Sequence, residues 1–351
     1  MTNSESLFRD PLFQLNLSIF LAQRQGDFTI KPILFELGYS LQSIGSKLSL
    51  PLAVRSEIKD KAIKANDNAK PEIVLINKRD KKYIFWECKC EFFSTDSSTA
   101  AQCRTYLLMT GSSLGQVLGL RNDHGYEGMV VYLTPSDKYE QLEATLMSLK
   151  LELEQAGLEV GTPVCLGIQC TDTSLSICFT QRSGNLLGIC ENGPILIKEF
   201  ESGTDPRPLY IIPIDPGISQ ASHERDYCLR VFNERSLNFL IRIIGRAGRS
   251  NEVIINYDDL MDDVTLGFYK YWQDNEARRY VRDIINNLLR EIAKFINDKL
   301  QKNILFRQGQ FWQIKAADRQ TLDRAREEIM NFSVERLNIP PSTNTDLFEN
   351  K

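Results

Sequence analysis

The sequence predicts an α/β fold, a mixed sheet flanked by helices, followed by a mainly helical C-terminal domain. Three observations predict it. Residues 71–90 form two arms rich in β-branched and aromatic residues around a polar turn at 77–82. Apolar strand-like runs then alternate with helix-period stretches as far as Thr180. Beyond about residue 225 the pattern becomes mostly helical, with one short hairpin. No Gly-x-Gly-x-x-Gly or Walker-type loop is present. The antiparallel hairpin also argues against a doubly wound dinucleotide fold.

Residues 7–50 read as mostly helical, first through Leu12, Phe13, Leu15, Ile19, Phe20 and Leu21. A second helix is expected over 31–48, opening at Pro32 and carrying Ile33, Leu34, Leu37, Leu41 and Ile44. The charged run 52–65 reads as an edge strand that presents Lys59, Lys61 and Lys64. In the hairpin, a turn centred between Arg79 and Asp80 sets Ile76 opposite Tyr83, Val74 opposite Phe85, and Glu72 opposite Glu87. A helix follows over 100–109, with N-caps in Ser97-Ser98-Thr99 and Gly111 closing it. Residues 127–133 read as a buried strand. Residues 137–156 form an amphipathic helix through Leu142, Leu146, Leu149 and Leu153, ended by Gly157. Strands at 164–169 and 175–180 come next, then a hairpin of 186–190 with 195–199.

Four prolines around an apolar stretch at 209–214 mark residues 201–225 as a connector. The expected domains are therefore 1–200, 226–340 and a tail at 341–351. In the second domain, helix 237–244, strand 253–255, helix 257–263, a helix through Trp272 and a long helix 276–300 precede a hairpin of 304–306 with 310–314. A final helix spans 319–332. This order suggests a winged-helix-like module, with Arg278, Arg279, Arg282 and Arg307 as its basic positions. Basic and acidic residues nearly balance there, so a helical oligomerisation or partner-binding module is the alternative. Phe268, Tyr269, Tyr271 and Trp272 read as core.

The chemistry sits in the hairpin. Side chains alternate along a strand, so Lys89 shares a face with Glu87 and with Glu72 across from it. Two carboxylates and an ammonium thus meet among apolar residues, where charges need partners. Mg²⁺, or Mn²⁺ in its place, suits such hard oxygen donors and meets phosphate oxygens. A lysine beside bound water can orient it for attack on a phosphodiester. The alternative is a structural hairpin whose lysine snorkels to water.

Glu72 and Glu87-Cys88-Lys89 resemble the core motif of the PD-(D/E)XK nuclease superfamily, with Pro71-Glu72 where Pro-Asp is commoner. Gln102 and Tyr106 lie at i and i+4 on the following helix. They are similar to the Gln-x-x-x-Tyr motif of the RecB-like branch. The resemblance covers roughly residues 50–135 and rests on those five positions. It implies a restriction-endonuclease-like fold, with metal held by Glu72, Glu87 and the Cys88 backbone carbonyl. It also implies site support from Gln102 and Tyr106, and a further acidic ligand from a helix before the sheet. Glu36 is the candidate for that ligand, or a solvated surface residue. Glu57-Ile58-Lys59 and Asp80-Lys81-Lys82 repeat the carboxylate-x-Lys spacing without apolar strands on both sides.

Composition bounds the rest. The 351 residues carry a net charge of −4, so any contact with phosphate must come from a local basic surface. The eight cysteines form no Cys-x-x-Cys pair and there are two histidines, which fits buried thiols in a reducing compartment rather than zinc or an iron–sulfur cluster. The N-terminus lacks a signal-peptide pattern and no apolar run approaches a membrane span, so a cytoplasmic protein is expected. The expected function is a metal-dependent nuclease acting on DNA, as part of a larger defence, repair or mobile-element complex. Protein partners or a second copy would bind through the C-terminal domain. The rival is a non-cleaving nucleic-acid- or partner-binding subunit built on the same fold.

Overall fold

The four central strands of the main sheet are buried on both faces, which is why residues 73–77, 82–88, 127–135 and 162–170 read as near-unbroken apolar runs. The structure, a computed structural model, describes residues 4–24, 30–119, 125–204, 206, 211, 222–247, 250–309 and 311–337. His124, the tail 341–351 and the stretch 209–214, apart from Ile211, lie outside the described residues. The chain divides into two units, residues 1–209 with Tyr271–Asp274, and residues 210–270 with 275–351.

The first unit opens with α1 (Ser4–Phe8), α2 (Pro11–Ala22), α3 (Ile33–Glu36), β1 (Ser40–Ile44), β2 (Leu48–Ser49), α4 (Leu52–Asp60) and β3 (Asn68–Ala69). The hairpin β4 (Ile73–Asn77) and β5 (Lys82–Cys88) leads to α5 (Ser98–Leu107), α6 (Gly111–Leu118), β6 (Glu127–Pro135) and α7 (Tyr139–Gln155). β7 (Thr162–Cys170), β8 (Ser174–Phe179), α8 (Gln181–Leu187) and β9 (Ile195–Glu199) complete it. The seven-stranded sheet runs β1-β4-β5-β6-β7-β8-β9. It is mixed: β5, β6 and β7 are parallel and the other pairs antiparallel. The hairpin register is the predicted one, Ile76 against Tyr83 and Val74 against Phe85.

Val74, Phe85, Val130 and Tyr132 form one core with Cys103 and Leu107 of α5 and the predicted leucine stripe of α7. α2 packs on the sheet as well, at β1, β4 and β5. Its residues from Leu12 to Ala22 are all buried, and Gln14, Asn16 and Ser18 satisfy themselves on the carbonyls of Phe8, Leu12 and Gln14. α5 is locked to α7 by Arg104, 4% exposed, whose guanidinium grips Glu152 at 3.1 and 2.7 Å.

The expected helix over 31–48 is corrected to a four-residue helix and a strand. Gly38, at φ 88, turns the chain after α3, and Leu41 and Ile44 point inward from β1 instead. The charged run 52–65 is not an edge strand, because residues 52–60 form α4 and bury Ile58. Gly111 opens α6 rather than closing α5. The expected strand at 186–190 is instead the last two residues of α8 and the loop after it, the helix being capped by the Thr180 side chain at one end and by Gly188 at φ 84 at the other.

The second unit holds α9 (Ser222–Arg246), longer than expected, then β10 (Glu252–Ile255) and α10 (Tyr257–Val264). α11 (Asn275–Leu300), β11 (Leu305–Gln308), β12 (Phe311–Lys315) and α12 (Arg319–Leu337) follow. β10 joins the hairpin to make a three-stranded antiparallel sheet, β10-β12-β11. The expected helix through Trp272 is only a 3₁₀ turn, Tyr269–Tyr271. Trp272 belongs to the first unit, where it bridges Ile44.

Leu107 is fully buried in the α5–sheet core. Leu107→Ala is expected to lower unfolding free energy by about 2–5 kcal/mol through the cavity it leaves, measured by urea denaturation.

Candidate active site

β4 ends one residue after Glu72 in the direction of the chain start, and β5 carries the second carboxylate. The hairpin register ends at Ile73 opposite Trp86, and the Glu72 N–H donates to the Trp86 carbonyl at 3.1 Å, one residue out of it, with the Glu72 carboxyl close enough to feel the Glu87 charge. The Gly45 N–H donates to the Glu72 carbonyl at 2.9 Å, so its backbone is held from both sides. Glu87 is 5% exposed.

Both oxygens of Glu87 have donors. Lys89 Nζ lies 2.7 Å from Oε1, and the Tyr106 hydroxyl donates to Oε2 at 2.9 Å. Gln102 Nε2 donates to that hydroxyl at 2.9 Å. The Tyr106 ring stacks on Phe85 with centroids 6.2 Å apart. The five predicted positions are thus drawn together, four of them in one hydrogen-bonded chain. Tyr106 is both core residue and site residue, 1% exposed and bonded to Glu87.

Glu72 Oε1 accepts from the Cys88 N–H at 3.3 Å, while Oε2 is buried with no hydrogen-bond partner. Burial, and then the Glu87 charge, push the Glu72 carboxyl up to about 8. Burial pulls the Lys89 ammonium down, but the Glu87 carboxylate overcomes it and the net shift is upward. Lys89 is therefore a held cation and hydrogen-bond donor, not a base. The Cys88 thiol faces the other side of the sheet, 3.4 Å from Ser18 Oγ, which also accepts from Trp86 Nε1 at 2.8 Å.

Glu36 does not join them. It is exposed at the end of α3, with its carboxylate 3.9 Å from Lys31. The next carbonyl, of Leu37, accepts from the Asn77 side chain, so α3 ends at the turn end of β4, opposite to Glu72. Lys59 is exposed on α4, Lys61 pairs with Glu57 at 2.7 Å, and Lys64 lies 3.8 Å from Asp96.

Two residues that sequence reasoning missed stand beside the site. Tyr132 is the neighbour of Glu87 in the parallel β5–β6 register, and Thr134 shares its face two residues on. The Tyr132 hydroxyl and Thr134 Oγ1 are buried without hydrogen-bond partners, like Glu72 Oε2. The only signal in the sequence is two hydroxyls on alternate positions of an otherwise apolar strand.

Because the Glu72 carboxyl in the folded chain sits at about 8, above an unfolded value of about 4.3, folding binds its proton more tightly. That contribution to stability is complete below the unfolded value and is lost as pH rises through about 8. In chelator, the melting temperature is expected to fall between about pH 5 and pH 9, and Glu72→Gln is expected to flatten that profile. Parallel profiles for both proteins would show that another group titrates. Tyr106→Phe keeps the stack on Phe85 but strands Glu87 Oε2, and is expected to cost about 1.5–3 kcal/mol in the same melts.

Among the described residues no group of three or more His, Cys, Asp or Glu side chains is placed to hold a metal ion. No helix among them is long and apolar enough to cross a membrane. Comparison with protein-family models, curated proteins and solved structures finds no match to the chain.

Proposed function

We propose that this chain is a metal-dependent nuclease that hydrolyses phosphodiester bonds in DNA, with its site at Glu72, Glu87 and Lys89. The observation that carries the reading is the convergence of those three side chains at one end of the hairpin, tied through Tyr106 to Gln102. The strand order around it supports the restriction-endonuclease-like reading. The antiparallel strands β1-β4-β5 are followed by two helices, α5 and α6, and a strand, β6, that lies parallel to β5.

The donor set fits Mg²⁺ or Mn²⁺, which take few protein carboxylates and keep several waters. Glu72 Oε2 is a buried carboxylate oxygen without a partner, and Glu87 lies near it. Glu72, Glu87 and the Cys88 carbonyl would hold the ion. When bound, it supplies charge for the scissile phosphate and an acidified water. Lys89, as an ammonium, donates to the attacking water or to a non-bridging phosphate oxygen. The water oxygen forms a bond to phosphorus as the bond to the leaving ester oxygen breaks; the attacking water gives its proton to solvent and the leaving oxygen takes one from solvent. Tyr106 and Gln102 fix Glu87, and so fix where Lys89 rests.

A second reading has one observation in its favour. Both oxygens of Glu87 are already engaged by protein donors, as in a site that holds its fold without a metal. It makes the chain a non-cleaving nucleic-acid- or partner-binding subunit.

Cleavage of circular and linear DNA with Mg²⁺ or Mn²⁺ separates the two. Lys89→Ala is expected to lower the rate about 10²–10³-fold while Mn²⁺ binding, followed by calorimetry, persists. Glu72→Ala and Glu87→Ala are each expected to weaken Mn²⁺ binding. A wild-type chain that neither cuts DNA nor binds Mn²⁺ would leave the second reading.

A further inference from the structure

In the second unit, a hydrogen-bonded cluster joins three elements. Trp312 of β12 is 3% exposed, and its Nε1–H donates to Asn286 Oδ1 of α11 at 3.1 Å. The hydroxyl of Tyr257, the first residue of α10, donates to the same oxygen. Arg290 stands one turn beyond Asn286 on α11, at i+4 and on the same helix face. Arg307 of β11 stands directly opposite Trp312 of β12, and residues so opposed share a face of the sheet. Two guanidinium groups therefore flank one cluster from two elements. Burial raises the Tyr257 hydroxyl, while the charges of Arg307 and Arg290 act on it in the opposite sense.

Neither arginine is spent on a carboxylate among the described residues. Arg290 donates to the Asn287 side chain at 2.8 Å and Arg307 to the Gly309 carbonyl at 3.1 Å, and both side chains are exposed. Arginine carries five donors in a fixed fork, so most of this pair's donors face outward unused. Three other arginines of the unit are paired, Arg282 with Asp258, Arg242 with Asp263, and Arg319 with Asp323, while Arg279, Arg324 and Arg336 are exposed without an ion pair among the described residues. The exposed acids nearest on α11 are Asp283 and Glu291.

We propose that Arg290 and Arg307 grip the phosphate backbone of nucleic acid, held apart at a fixed spacing by the Tyr257–Asn286–Trp312 cluster. The fork geometry of a guanidinium matches a phosphate in two parallel hydrogen bonds, and a chain of net charge −4 needs such a local site to hold a polyanion. The choice of DNA as the polyanion rests on the nuclease reading; the pair itself does not.

The test uses the full chain and a short fluorescein-labelled DNA duplex in chelator, with anisotropy read across a salt series. The double variant Arg290→Ala with Arg307→Ala is expected to bind on the order of tenfold more weakly. Its plot of log affinity against log salt is expected to be shallower by about two, the loss of two phosphate contacts. Arg319→Ala, which removes a paired arginine from the same unit, is expected to change neither. Thermal melts of each variant show that the fold is kept. Affinity and salt slope equal to wild type in the double variant would overturn the proposal, as would a wild-type chain that does not bind the duplex. Polyglutamate bound as tightly as DNA, and lost in the double variant, would overturn it in favour of an acidic protein partner. Cleavage assays run alongside keep the two proposals apart. Cutting with unchanged binding in the double variant defeats this one alone. Binding lost in the double variant of a chain that never cuts DNA defeats the nuclease reading alone.

Discussion

Glu72 and Glu87 lie near each other at the end of an apolar hairpin, where two negative charges repel with little water to screen them. The neighbourhood is arranged around that repulsion. Lys89 and Tyr106 each give Glu87 a donor, the Cys88 N–H gives one to Glu72, and Gln102 aligns the tyrosine that serves Glu87. What the donors leave over is met by a proton on Glu72. The pair is thus stable only while it holds a positive charge in some form, ammonium, proton or cation.

A charge pair of this kind keeps its geometry only on a stiff support. α5 supplies one side: Arg104 ties it to α7 through Glu152, and Thr105 Oγ1 accepts from the Asn66 N–H and donates to the Asn66 carbonyl. α2 supplies the other, where Ser18 meets both the Trp86 indole and the Cys88 thiol. Residues 86 to 89 therefore alternate between the two supports, one side chain to each face in turn. The strand cannot slip by one residue without exchanging Trp86 for Glu87, and register is fixed for that reason.

How much of this was legible depended on the range of the interaction. The hairpin register followed from period-2 alternation about a polar turn, and Gln102 with Tyr106 from helix spacing; both are local rules. Leu37, Leu41 and Ile44 fit a helix face as well as a strand, and only Gly38 in the left-handed region decides for the strand. The run 52–65 failed because its charge pattern says nothing of the single buried contact, Ile58, that anchors α4. Residues 186–190 are apolar enough for a strand, and the caps at Thr180 and Gly188 outweighed that. Glu36 followed from the misread helix, so its failure is the same error carried into the site. Tyr132 and Thr134 lie more than forty residues from Glu87 in the chain, and only the parallel pairing of β5 with β6 brings them there.

Those last two hydroxyls bear on what the site is for. A buried oxygen left without a partner costs about 1–3 kcal/mol. Five buried side-chain atoms without partners occur among the described residues, and three of them, Glu72 Oε2, Tyr132 Oη and Thr134 Oγ1, belong to the strands that carry or adjoin the carboxylate pair. Replacing Tyr132 by phenylalanine would keep its contact with Phe93 and remove one such oxygen. Local destabilisation of this sort is characteristic of places where a ligand or ordered water completes the bonding. Burial raises both the Glu72 carboxyl and the Tyr132 hydroxyl, and the Glu87 charge adds to each, so these groups share one electrostatic neighbourhood.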